Sequence, residues 1–167
     1  MEAFELLVRR YEKPLYNGCL RIVNNSEDAR DVVQSVFISA YENLSSYDPN
    51  RKFFSWIYRM MVNASLNLVD RRRPTSELDS RLASQTLQPD ESFAHDRQSA
   101  QLQEALLQLA PEARVAVVLK YFGDLSYEEL GFVLDIPAKT VKSRLYSARR
   151  HLCEIMTAQG MVTYDTL

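Results

Sequence analysis

Apolar residues recur at intervals of three and four along most of the chain, and no segment shows the alternation of a half-buried strand. Phe4, Leu7, Val8 and Tyr11, then Leu15, Cys19, Ile22 and Val23, form two amphipathic stretches separated near Pro14. The clearest stripe follows in Ala29, Val32, Val33, Val36, Phe37, Ala40, Tyr41 and Leu44, with Ser26 as its N-cap and Glu27 and Asp28 in its first turn. Pro49 interrupts the pattern, and "FFSWIYRMMVNASLNLVDRRR" resumes it as a long helix with a basic carboxyl end. Later, Leu102, Ala105, Leu106 and Leu109 make one stripe ended by Pro111, and Val115, Val118, Leu119 and Phe122 another ended by Gly123. Ser126 and Glu129 have capping-box spacing ahead of Leu130, Val133 and Leu134. After a break at "DIP", Val141, Leu145, Ala148 and Leu152 share one side of a last helix starting near Ala138. The pattern predicts an all-α protein.

Between the two groups of stripes lies "PTSELDSRLASQTLQPDESFAHDR", residues 74–97, rich in Ser and Thr, with Pro74 and Pro89 and little periodicity. It reads as an extended, flexible linker between two small helical domains, residues 1–73 and 98–167. One domain carrying a long surface loop is the alternative. The overall charge of −2 conceals a division. Residues 1–73 hold 11 basic and 9 acidic residues, 74–97 hold 2 and 5, and 98–167 hold 7 and 8, so the middle is the acidic part.

With 167 residues, 46% of them hydrophobic, the chain can build cores. No run approaches the ~20 apolar residues of a membrane span, and "MEAFELLVRRYEK" lacks the apolar centre of a signal peptide. A soluble protein that stays in the cytoplasm, without membrane insertion, is expected. Two separated cysteines and two isolated histidines give no metal site, disulfide framework or nucleophilic triad, and four glycines give no phosphate loop. No cofactor, metal or catalytic residue is expected.

The candidate chemistry is basic. "IPAKTVKSRLYSARRHL" carries Lys139, Lys142, Arg144, Arg149 and Arg150 and no acid. With Val141, Leu145, Ala148 and Leu152 turned inward, Lys142, Ser143, Tyr146 and Arg149 are left outside. Two short helices joined by a tight turn, the second with a basic outer face, make a helix-turn-helix, which sets its second helix in the DNA major groove. An ordinary bundle with a solvated basic face is the plainer reading. Gly131 falls at the tight helix contact, and Asp135 at the turn where a left-handed residue is needed.

"LSYEELGFVLDIPAKTVKSRLYSARRHL" closely resembles region 4 of the extracytoplasmic-function (ECF) sigma factors of the sigma-70 family. "EDARDVVQSVFISAY" resembles region 2.2, and "FFSWIYRMMVNASLNLVDRRR" regions 2.3 and 2.4, with the signature at Trp56 to Arg59 and Val62 to Asn63. The resemblance covers nearly the whole chain in the family's order. It implies a factor, not an enzyme, that binds core RNA polymerase and directs promoter recognition, melting and initiation. It implies contact with the polymerase β′ clamp helices through Asp31, Gln34 and Ile38, with Asp28 at the rim, and with the β flap. For the −10 element it implies the loop from Ser45 to Lys52, including Asn50, Arg51 and Lys52, and Trp56, Arg59, Asn63, Asn67 and Arg71 on the helix after it. Trp56 and Tyr58 are candidate stacking platforms, although Trp56 at helical spacing also fits a core position. For the −35 element it implies Lys139, Thr140, Lys142, Ser143, Tyr146, Ser147 and Arg149. Promoter DNA, an anti-sigma factor and a monomeric free state complete the implied picture. Ser35, Asp70 and Ser147 depart from residues common at these positions in the family.

Two other classes compete. A stand-alone helix-turn-helix regulator with an amino-terminal dimerisation domain would need a self-associating first domain and a palindromic operator. A helical enzyme would need a carboxylate cluster or a histidine-centred site.

Overall fold

The computed structural model describes residues 2–72 and 97–161. Among these residues, seven α-helices run in the order α1 Glu2–Val23, α2 Ser26–Glu42, α3 Phe53–Arg71, α4 Arg97–Leu107, α5 Pro111–Tyr121, α6 Tyr127–Leu134 and α7 Ala138–Ala158, with a short 3-10 turn at Leu44–Ser46. No strand occurs among the described residues. The expected linker lies almost entirely outside them.

Helices α1, α2 and α3 pack pairwise into a bundle, while α4 to α7 form a second group. The first group buries Leu15, Cys19, Ile22, Val33, Val36, Ile57, Tyr58, Met61 and Val62, the second Leu106, Val115, Leu119, Leu125, Leu130, Val141 and Leu145, and all of them belong to one hydrophobic cluster. Most of these residues recur at helical spacing, so burial of one face per helix accounts for both halves.

Three local expectations need correction. Pro14 lies inside α1 and does not divide it. Proline in a helix interior costs ~3 kcal/mol through a lost hydrogen bond and a clash. Pro14 is exposed, and the apolar positions before and after it share one packed face, so burial on both sides carries the helix through. The N-cap of α2 is Asn25, not Ser26: its side chain accepts from the Asp28 backbone N–H at 3.0 Å. Tyr41 and Leu44, assigned to the α2 stripe, are 54% and 41% exposed, because the core-facing stripe ends at Ala40.

The helix-turn-helix elements form as expected. In the capping box of α6, Glu129 N–H donates to Ser126 Oγ at 3.1 Å and Ser126 N–H donates to Glu129 Oε2 at 2.8 Å. Asp135 ends the helix in the left-handed region, φ 56° and ψ 43°. A Cβ on Gly131 would stand 2.8 Å from the Ile136 carbonyl oxygen, so only glycine lets the turn fold this tightly against α6.

Candidate nucleic-acid and partner surfaces

Helix α7 buries Val141, Leu145, Ala148 and Ile155 and packs against α5 and α6. That leaves the opposite side outward: Lys139, Thr140, Lys142, Ser143, Tyr146, Ser147 and Arg149 are all exposed, Tyr146 by 63%. Two of the cations are steadied by aromatic neighbours. Lys142 Nζ lies 5.2 Å from the centre of the Tyr127 ring, and Arg149 Nη1 donates to Tyr121 Oη at 3.4 Å. The predicted −35 residues therefore share one polar, cationic helix face.

On α3 the buried side is Ser55, Ile57, Tyr58, Met61, Val62 and Ser65. Lys52, Trp56, Arg59, Asn63, Asn67 and Arg71 follow one another at spacings of four, three, four, four and four, a stripe winding slowly around the other side. Asn63, Asn67 and Arg71 are exposed. Trp56 is half-buried, its ring centre 5.3 Å from Tyr47 and 5.6 Å from Phe53, so it belongs to an aromatic cluster at the start of the helix. Tyr58 is 1% exposed, and burial pushes its hydroxyl far above the usual tyrosine range. It is a core residue, not a stacking platform. The loop ahead of α3 is shaped by Asp48, whose Oδ1 accepts from the Asn50 backbone N–H at 2.9 Å and side chain at 3.0 Å, and by Tyr47 Oη donating to the Arg51 carbonyl at 2.5 Å. Asn50, Arg51 and Lys52 are thereby held exposed at the head of the stripe.

Asp31, Gln34 and Ile38 project together from α2 at spacings of three and four, with Ile38 53% exposed. Asp28 is set apart from them, paired with Arg72 just beyond α3. Gln34 and Ile38 also border a groove of about 700 Å³ between α1 and α2, whose other wall includes Val8, Glu12 and Tyr16. Pattern reasoning missed this wall.

The two groups of helices also meet. Arg114, on α5, is 7% exposed, and its guanidinium donates to the carbonyls of Ile22 at 2.7 Å, Leu106 at 3.0 Å, Leu107 at 3.1 Å and Leu109 at 3.3 Å. Gln103 Nε2 donates to the Arg21 carbonyl at 3.1 Å. The Arg114 fork thus satisfies open carbonyls at the ends of both α1 and α4. At a second contact, α3 packs on α6. Neither Arg114 nor this contact is visible as a motif, because a buried arginine has no spacing signature.

Residues 7–75 match the profile of Sigma-70 region 2, and residues 99–152 that of Sigma-70, region 4. The chain is 32% identical over 163 residues to the ECF RNA polymerase sigma factor SigW of Bacillus subtilis, covering 90% of this chain and 87% of the relative. It belongs to the ECF sigma factors of the sigma-70 family. Membership makes it a factor that binds core RNA polymerase and directs transcription initiation. The ECF RNA polymerase sigma-E factor of Escherichia coli is 34% identical over 160 residues, covering 89% of this sigma factor and 83% of the relative. Among solved structures, CnrH in complex with the cytosolic domain of CnrY aligns with a TM-score of 0.72 and 27% identity over 94% of this chain and 89% of that one. The sigma factor RpoE of Bartonella quintana, in complex with the anti-sigma factor NepR, gives 0.76 over 94% and 98%; at 22% identity it speaks to the fold.

Proposed function

We propose that this sigma factor divides initiation among three surfaces. Asp31, Gln34 and Ile38, with Asp28 at their rim, dock on the β′ clamp helices of core polymerase. The loop at Asn50, Arg51 and Lys52 and the stripe Trp56, Arg59, Asn63, Asn67 and Arg71 take the −10 element as a single strand. Lys139, Thr140, Lys142, Ser143, Tyr146, Ser147 and Arg149 read the −35 element as duplex, and the same domain meets the β flap. Residues 1–73 and 98–167 act as the two domains. The factor works in the cytoplasm, is a monomer when free, and is held in check by an anti-sigma factor.

The carrying observation is the exposed amide and cation row Asn63, Asn67 and Arg71 on a helix whose other side is core. Amides pair with base edges and cations with the strand backbone, a combination suited to an unpaired strand. Extruding a base costs a few kcal/mol that contacts to the flipped base must offset. Asn63→Ala should therefore leave polymerase binding and closed-complex formation intact and weaken open-complex formation by about 1–3 kcal/mol. Permanganate footprinting and run-off transcription would measure this on matched templates and on templates mismatched at the −10 element. Recovery on the mismatched template is expected; equal loss on both would assign Asn63 a structural role.

A further inference from the structure

The carboxyl end of α3 is fastened to the amino end of α2. Arg72, the C-cap of α3, pairs through Nη2 with Oδ2 of Asp28 in the first turn of α2, and the Asp28 side chain is only 18% exposed. Each charge also suits the helix end that carries it: an acid stands where the N–H groups of α2 begin, and a cation where the carbonyls of α3 run out. One contact thus closes two helix ends. Its neighbours on α3 belong to the outward stripe. Arg71 directly precedes Arg72, Asn67 stands one turn back, and both are exposed. A helix end left to itself frays within its last turn, and fraying here would scatter the directions of these two side chains.

We propose that Asp28 and Arg72 are positioning residues for the −10 strand: their ion pair keeps the last turn of α3 wound, so that Asn67 and Arg71 meet the strand already oriented. The inference rests on the assignment of that stripe to the −10 element. Neither member of the pair needs to touch DNA. An anion cannot hold a phosphate, so the part of Asp28 in strand binding runs through Arg72 and the end of α3. That fixes the sign of its effect. Removing an acid beside a cationic face strengthens phosphate binding by electrostatics alone, and it also releases Arg72 as a further cation. A loss of affinity on neutralising Asp28 therefore reports orientation, not charge.

Strand affinity measured in the polymerase holoenzyme tests this, with core polymerase in saturating excess so that docking at the Asp28 rim does not enter. The probe is a fluorescein-labelled single strand copied from the −10 region of the run-off template. Asp28→Asn, which keeps the shape of the side chain, should lower affinity about two- to fivefold, and Arg72→Gln should do the same. Arg72→Lys should restore most of it. In an Arg71→Ala background, Asp28→Asn should have a smaller effect, since one of the side chains it orients is gone. Unchanged or higher affinity in the Asp28→Asn holoenzyme would overturn the proposal, and so would full additivity with Arg71→Ala. Either result leaves the −10 assignment standing if Asn67→Ala and Arg71→Ala each weaken strand binding. If both of those changes leave affinity intact, the −10 assignment itself fails, and the proposal with it.

Discussion

Single side chains carry unusual weight in this fold, and Arg114 most of all. Its four carbonyl partners come from two helix ends and the turn between α4 and α5, in a setting where burial pulls the guanidinium below the usual arginine range. Arg114→Met keeps much of the volume and removes every donor. Hydrogen bonds to charged groups contribute ~1.5–3 kcal/mol each, but the helix ends can recruit water, so the net loss should be about 3 kcal/mol in urea unfolding. Arg114→Lys, with a point charge in place of a fork, should recover only part of it. Cys19 is the opposite kind of residue. It is fully buried, its Sγ is 3.3 Å from Ser65 Oγ, and burial pushes the thiol up to about 11. The thiolate is the reactive form, so iodoacetamide at neutral pH should modify Cys153 in the native protein and Cys19 only after denaturation, as mass spectrometry of the peptides would show.

At the scale of elements, the turn between α6 and α7 is the least forgiving place in the chain. Gly131→Ala would put a methyl 2.8 Å from the Ile136 carbonyl, a backbone atom in a three-residue turn with no room to retreat. Overpacking of this kind costs ~1–3 kcal/mol, so the thermal midpoint should fall and use of −35-dependent promoters should fall with it. That turn was legible in the sequence because every signal agreed: a capping box, a small residue at the contact and an Asp where φ turns positive. α1 was legible only in part. Pro14 carries a strong local signal for a break, and nothing local reveals that the same face is buried on both sides of it. The Asn25 cap was misplaced by one residue because Asn and Ser stand side by side and either side chain can cap. The outward residues of α2, α3 and α7 could be read from helical spacing, since whatever does not face the core faces out. Their roles came from resemblance, and the α1 wall of the groove and the contact between α3 and α6 escaped, since tertiary contacts far apart in sequence leave no periodic trace.

For the whole molecule, the relation between the two domains depends on pH. Burial alone would push the Glu129 carboxyl up, but its hydrogen bonds to Lys52 and to the Ser126 N–H, with the Lys52 charge, hold it below its usual value of 4.5. A carboxyl lowered in the folded state contributes stability above its unfolded pKa and loses it as pH falls through the folded pKa. The α3 to α6 contact should therefore be at full strength at neutral pH and weaken in acid, as pH falls through the lowered range of this carboxyl. Urea unfolding across an acid titration should show stability lost there, with a smaller acid step in the Glu129→Gln chain, where this carboxyl is absent.

The two oxygens of Glu129 are used separately, Oε2 for the start of α6 and Oε1 for Lys52. Letting go of Lys52 therefore hands one oxygen to water and leaves the other in place, so α6 keeps its cap when this ion pair opens. Opening and reclosing then involve no refolding step. Taken up and down a salt gradient, the chain should retrace a single curve without hysteresis, at the speed of side-chain motion rather than of folding.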